Sequence, residues 1–245
     1  MLLCALDIET SGLNTETDRI TEIGAVVWDT DRNAPIEIMN KLVNASTALT
    51  PEIVAITGII QEDLLTFGIE PKLALVMLGS LMTVCRAAVG HNALLFDKPF
   101  LEAEFKRYGM QLPAMPWIDT CADLPYPESI KTRKLTHLAA EHGFLNPFAH
   151  RALSDVLTMM KIFSHYNADE VLATSLLPSV KLVAHVKKPW TDTAIEGSKE
   201  SDKAKARGYR FEGSTKRWVK IVKQNRVAEE TAHVEFVVTE EKWAG

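Results

Sequence analysis

Asp7 and Glu9 stand at the end of the apolar run Leu2-Leu3-Cys4-Ala5-Leu6, which reads as a buried central strand bounded by Gly12. Residues i and i+2 of a strand point to one face. The two acids therefore project together, and Ile8 faces the core on the other side. Carboxylates held that close repel and are costly to desolvate. Nearby sequence offers Arg19 as the only cation, so a hard divalent ion, Mg²⁺ or Mn²⁺, is the better counter-charge. The plain alternative is a pair of acids at a solvated strand end.

Two later segments carry similar groups. His91-Asn92-Ala93-Leu94-Leu95-Phe96-Asp97 leaves a short strand and enters a helix at Asp97. His150-Arg151-Ala152-Leu153-Ser154-Asp155 opens a long helix. Taken singly, Asp97 fits an N-cap and Asp155 a helix-dipole partner. Taken together, the four acids fit one cleft at the carboxyl edge of an α/β sheet, where ligands bind. Such a cleft suits two metal ions ~3.5–4 Å apart, the arrangement used in phosphoryl transfer. Five residues along one helix turn the side chain by ~140°. His150 and Asp155 thus face a common site only if His150 precedes the helix, on a mobile segment.

The elements that must position these groups follow from pattern. Arg19–Trp28 and Ile36–Val43 read as second and third strands of an antiparallel meander. Thr50 caps a short helix with Pro51 at its first position, ended by Thr57-Gly58. Helical spacing continues over Pro71–Cys85, a strand over Arg86–Val89, and a helix over Asp97–Tyr108. Pro116–Ile118 is a brief strand, and Asp119–Leu124 starts a helical turn. Helices over Lys134–Glu141 and Ala152–Tyr166 follow. The expectation is a mixed sheet with helices on both faces.

The motifs Asp7-Ile8-Glu9-Thr10, His91-Asn92-Ala93 with Phe96-Asp97, and His150 with Asp155, in order over residues 1–170, resemble the DEDDh (DnaQ-like) 3′–5′ exonucleases. That family includes the proofreading subunit of bacterial DNA polymerase III. Thr57-Gly58-Ile59 matches the family's segment between the first two motifs. The resemblance implies a ribonuclease H-like five-stranded mixed sheet over residues 1–176. It also implies two Mg²⁺ per site, with Mn²⁺ able to substitute, held by Asp7, Glu9, Asp97 and Asp155. His150 would be the general base. Thr10 and Leu13 would line the pocket of the 3′-terminal nucleotide. His91 and Asn92 would hold the scissile strand or orient Asp97, although Asn92 also suits a purely structural turn. Phe96 would be core or pocket wall. The implied partners are single-stranded DNA 3′ ends, with RNA as the alternative, and a DNA polymerase or a replication or repair complex. A non-catalytic nucleic-acid-binding module is the reading from another class.

Composition excludes several classes. At 47% hydrophobic and 24% charged the chain is ordinary for a globular protein. No apolar run reaches the ~18 residues of a membrane span, and no signal peptide precedes the first strand. A cytoplasmic protein without membrane contact is expected. The three cysteines, Cys4, Cys85 and Cys121, form no zinc pattern. Charge is uneven. Residues 1–184 hold 14 Lys+Arg against 22 Asp+Glu (−8), residues 185–226 hold 12 against 5 (+7), and residues 227–245 hold 1 against 5 (−4). Pro178, Pro189 and Gly197 suggest a linker over 177–206, followed by a small extension over 207–245 built on a β-hairpin. The hairpin interleaves Tyr209, Phe211 and Trp218 with Arg207 and Arg210. It suits either a single-strand-holding accessory or a hairpin that packs its aromatics on the main domain. Alternation puts Tyr209 and Phe211 on one face, away from Arg210. Val234–Val238 adds a candidate strand.

Overall fold

The computed structural model describes residues 1–127, 129–130, 132–186, 200–212 and 215–243. Three strands open the chain: β1 (Leu2–Thr10), β2 (Ile20–Asp29) and β3 (Ala34–Leu42). They form the expected antiparallel meander, with Leu6 opposite Ala25 and Glu9 opposite Glu22. Then come α1 (Pro51–Thr57), α2 (Gln61–Phe67), α3 (Pro71–Thr83), β4 (Ala87–Gly90), α4 (Asp97–Arg107) and β5 (Trp117–Asp119). Next come α5 (Leu135–Glu141), α6 (Ala152–Phe163) and α7 (Ala168–Ser175). β4 runs parallel to β1 and β5 parallel to β4, giving a five-stranded mixed sheet of order β3-β2-β1-β4-β5. This is the ribonuclease H-like arrangement.

β1 lies at the centre because it is apolar on both faces. Cys4, Leu6 and Ile8 pack in the layer with α3 and α4, beside Leu78, Phe100 and Phe105. Leu3 and Ala5 pack in the opposite layer, with Leu138 of α5, Val156 and Met160 of α6, and Val171 of α7. Strand parity then puts Asp7 and Glu9 on the side covered by α6. α6 comes unusually close to β2 because position 24 is glycine. A Cβ on Gly24 would lie 2.5 Å from the Ala152 carbonyl carbon and the Leu153 nitrogen. α1 is built as its sequence suggests: Thr50 accepts from the Ile53 amide, Pro51 opens the helix, and Gly58 closes it at φ 69°.

The C-terminal region is larger than a hairpin. β6 (Ser179–His185), α8 (Glu200–Ala206), β7 (Arg210–Glu212), β8 (Arg217–Lys223), α9 (Val227–Ala232) and β9 (Val237–Lys242) build a four-stranded antiparallel sheet of order β7-β8-β6-β9. β6 and α8 fall within the stretch expected as a linker, of which 187–199 lies outside the described residues. Val180, Leu182 and Ala184 alternate along β6 and are buried with Tyr209, Val222 and Phe236 in a core of their own. The flanking prolines and charges hide that alternation. Tyr209 and Phe211 do not share a face. The strand starts only at Arg210, so Tyr209 packs edge-on against Phe236 at 1% exposure while Phe211 is 56% exposed. Residues 119–124 make one turn, closed by the Asp123 amide on the Asp119 carbonyl (2.8 Å), and no helix.

The second sheet is fastened to the elements around the first. Lys223 lies 3.4 Å from Asp123, with 3% and 0% of the two side chains exposed. Its ammonium also donates to the Ser175 carbonyl (2.7 Å) and to Ser179 Oγ (3.1 Å). Arg226 donates to the Ala122 and Leu124 carbonyls, and Ile221 joins the core layer that holds Trp117. Among the described residues no helix is long and apolar enough to cross a membrane.

Candidate active site

A cleft of about 600 Å³ opens at the carboxyl edge of β1. Asp7, Glu9, Asp97, His150 and Asp155 all line it, together with Thr10, Leu13, His91, Asn92 and Phe96. The structure thus brings together acids 148 positions apart in sequence. Arg207 and Trp218 lie elsewhere. Arg207 is ion-paired to Glu230 at 2.9 Å, and Trp218 packs against Phe211.

Each side chain has a local reason for its place. Asp97 is the first residue of α4 and is 1% exposed, and its carboxylate accepts the Ile8 amide at 3.2 Å. The helix start is thereby tied to the strand that carries Asp7 and Glu9. The preceding loop is shaped by Asp119 at the end of β5, which accepts the Asn92 (2.9 Å), Leu94 (3.2 Å) and Cys121 (2.9 Å) amides. Asn92 takes a left-handed turn at φ 68°. His91 is held at both ring nitrogens, by Thr120 Oγ1 at 2.8 Å and the Arg133 carbonyl at 2.6 Å. Burial pushes its pKa down to about 4, so it is a neutral strut at the cleft wall. Phe96 packs on Phe100 of the core and also faces the cleft, and Leu13 stands 83% exposed at its rim.

His150 lies two residues ahead of α6, exposed, with a left-handed backbone at φ 62°. Its amide donates to Asp155 Oδ2 at 2.9 Å, and Asn146 Nδ2 donates to the other carboxylate oxygen. Next to it Arg151 reaches across to Glu22 of β2 with two hydrogen bonds, 2.9 and 3.2 Å, and the Ala152 amide donates to the same carboxylate at 3.0 Å. Glu22 is 1% exposed. It anchors the start of α6 beside Glu9, its neighbour across the β1–β2 pair. Glu22, Arg151, Asn146 and Asp119 escaped the sequence reading. An acid inside the otherwise apolar run Ile20–Trp28 was the available signal for Glu22. Nothing in the sequence marked the other three.

Among the described residues the acids have little counter-charge close by. Burial first, then Asp97, Glu9 and Asp155, push the Asp7 carboxyl well above its ordinary range. Burial and the Asp155, Glu22 and Asp97 carboxylates raise Glu9 to about 8, against which Arg151 acts weakly. Burial raises Asp97 to about 7 and raises Asp155 as well. Ligand atoms of Glu9, His150 and Asp155 lie within 4.8 Å of one another. Oxygen donors that crowd, repel and share one cleft fit a hard divalent cation.

The chain is a nuclease of the hydrolase class, as its family match shows. The Exonuclease family model, RNase_T, matches residues 4–163, and the chain belongs to that family as a DnaQ-like 3′–5′ exonuclease. The epsilon subunit of DNA polymerase III from Treponema pallidum is 32% identical over 164 residues, covering 65% of this chain and 74% of that protein. PolC-type DNA polymerase III from Mycoplasma pneumoniae is 29% identical over 163 residues. The chain spans only 11% of that polymerase's length and 65% of its own. Among solved structures, E. coli exonuclease I with zinc and single-stranded DNA superposes with a TM-score of 0.60 at 20% identity, over 97% of this chain and 64% of that one. The nuclease domain of 3′hExo, a DEDDh protein bound to rAMP, gives 0.56 at 18% identity, over 67% and 90%.

Proposed function

We propose that the chain removes nucleotides one at a time from the 3′ end of single-stranded or frayed DNA and releases nucleoside 5′-monophosphates. The observation that carries this is the convergence of Asp7, Glu9, Asp97 and Asp155 with His150 in one cleft. The four carboxylates would hold two Mg²⁺ ions, with Mn²⁺ able to substitute. Bound there, such ions supply a nucleophile at neutral pH and neutralise charge on the leaving oxygen. His150, on its exposed turn, takes the proton of the attacking water. Arg151, gripped by Glu22, and the Asp155 carboxylate, gripping the His150 amide, fix that turn on either side. Leu13 at the rim and Thr10, buried in the cleft wall, pack the terminal sugar and base, and His91 and Asn92 hold the loop that leads to Asp97.

DNA as substrate is supported by the polymerase III relatives and by the oligonucleotide complexes of exonuclease I, and the same relatives support work beside a polymerase in proofreading or repair. RNA is the second reading, favoured by the rAMP in the 3′hExo structure. Residues 1–176 would then be the nuclease domain, with the C-terminal sheet as an accessory module.

The test is a 5′-labelled oligonucleotide, DNA and RNA in parallel, with Mg²⁺ or Mn²⁺ and with EDTA. A ladder of products shortened from the 3′ end, absent with EDTA and absent in Asp7→Ala, is expected. Intact ends with either metal, or a ladder that Asp7→Ala leaves unchanged, overturn the reading.

A further inference from the structure

The C-terminal module carries many cations, and the structure neutralises most of them. Lys181 is paired to Glu212, Arg207 and Lys220 to Glu230, Lys203 to Glu235, Arg217 to Glu241, and Lys223 to Asp123. The net positive charge of this stretch is therefore a poor guide to where it meets a polyanion. Lys205, Lys216 and Lys242 are also left without an acid among the described residues, but Arg210 differs from them in its place. It is exposed, and among the described residues its guanidinium makes no hydrogen bond and no ion pair. Yet it lines the same cleft as the carboxylates. Pairing of Arg210 with Val219 in the β7–β8 ladder fixes its backbone, and the Lys223–Asp123 contact fixes the module on the elements around the first sheet. Arg133 and Lys134, from the loop before α5, line that cleft too. Arg133 is steadied by a stacking contact with the Tyr126 ring at 4.7 Å and by a bond to the Ile130 carbonyl at 2.9 Å.

The cleft thus has two chemically opposed walls. Carboxylates accept a phosphodiester only through cations, whereas guanidinium and ammonium groups bind phosphate directly, arginine through a bidentate fork. A polynucleotide with its 3′ end at the carboxylates continues only in the 5′ direction, and its next phosphate needs a cationic partner.

We propose that Arg210, together with Arg133 and Lys134, forms a phosphate subsite for the internucleotide linkage on the 5′ side of the bond being cleaved, so that the C-terminal module completes the substrate cleft. The subsite rests on the exonuclease reading for its position along the strand, but not for its affinity for phosphate. It makes Arg210 a substrate-positioning residue contributed by a different sheet from the one that carries the catalytic groups.

Binding measured without cleavage tests it. Fluorescence anisotropy of a labelled oligo-dT in EDTA is followed for the full chain, Arg210→Ala, Arg210→Lys and Lys242→Ala. Lys242 is an exposed cation at the far edge of the same sheet, so it controls for diffuse charge. Arg210→Ala is expected to weaken binding about tenfold at low salt, the order of one strong phosphate contact. It should also flatten the plot of log affinity against log salt by about 0.7, the value for one phosphate on a single strand. Arg210→Lys should restore the salt slope and part of the affinity, and Lys242→Ala should stay within twofold of the parent. Equal losses in Arg210→Ala and Lys242→Ala, or no loss in Arg210→Ala, overturn the subsite. With Mg²⁺ present, the ratio of kcat/KM for a trinucleotide to that for a dinucleotide should fall in Arg210→Ala, since only the trinucleotide carries the second phosphate. A chain that binds through Arg210 but shortens nothing refutes the nuclease reading and leaves the subsite standing.

Discussion

The two sheets of this molecule treat charge in opposite ways. The carboxyl edge of the five-stranded sheet buries Asp7, Glu9, Asp97 and Asp155 and gathers them with little compensation, so burial first and mutual repulsion second push their carboxyls up. The four-stranded sheet carries more cations, and it pairs Lys181, Arg217 and Lys220 with glutamates and Lys223 with Asp123. Charge that a fold leaves unbalanced is charge kept for something outside the chain. By that measure the informative groups are the four acids and Arg210, and the many paired lysines and arginines are framework.

Experiments that neutralise one side or the other test the contrast. The largest effect is expected from Asp97→Asn. It should lower Mg²⁺-dependent turnover by ~10³-fold, as loss of several kcal/mol of charge stabilisation implies. In EDTA the same change should raise the melting temperature by about 2–4 °C, because a buried repulsion is relieved. A melting point that falls would show that Asp97 is structurally needed as an anion. Next is Gly24→Ala. The new methyl meets the Ala152–Leu153 backbone, so α6 must move off β2 and take His150 and Asp155 with it. A loss of ~2 kcal/mol in urea unfolding and a large loss of activity are expected, with substrate binding at Arg210 less affected.

Lys223→Ala comes third. It leaves Asp123 buried without its cation, at a cost of roughly 3 kcal/mol, and limited proteolysis should then cut readily between the two sheets. Stability against pH gives a smaller but more telling readout. Without metal, folded Glu9 keeps its proton up to about 8 and Asp97 up to about 7, whereas the unfolded chain releases both near 4. The folded state then binds more protons over that window, so stability must fall as pH rises from about 4 to about 8. Mg²⁺ should restore it most at the upper end. A melting temperature in EDTA that is flat or rising across this range would contradict the unbalanced cluster. The smallest effect is expected from Arg217→Ala, which removes an exposed pair with Glu241 and should leave the melting curve within error.

The contrast also separates what the sequence discloses from what it conceals. Asp7, Glu9, Asp97, His150 and Asp155 were legible because each sits at the start or end of an element with a strong local signature. An unbroken apolar run placed β1, and helix starts placed Asp97 and Asp155. Gly58 marked a turn that the structure confirms at positive φ. The supporting residues were illegible for a physical reason. Glu22 and Arg151 meet across 129 positions, and Asp119 works by accepting amides from a loop 25 to 27 residues earlier. Such pairings depend on strand register, which composition does not encode. β6 was obscured differently. Its alternation Val180-Lys181-Leu182 is genuine, but its partners β8 and β9 lie some 40 to 60 residues later, and the charged stretch between them suggests a tether.

The Lys223–Asp123 contact limits how this protein can be dissected. The Asp123 carboxylate accepts the Asp119 amide at 2.8 Å, and Asp119 in turn arranges the Asn92 and Leu94 amides ahead of Asp97. A shortened version stopping after α7 would strip a buried ammonium from one end of that relay and leave an orphaned anion two hydrogen bonds away from the loop that leads to Asp97. Deleting the second sheet would therefore not yield a clean minimal nuclease, and weakened cleavage by such a fragment would report a disturbed foundation as much as a lost grip on the strand.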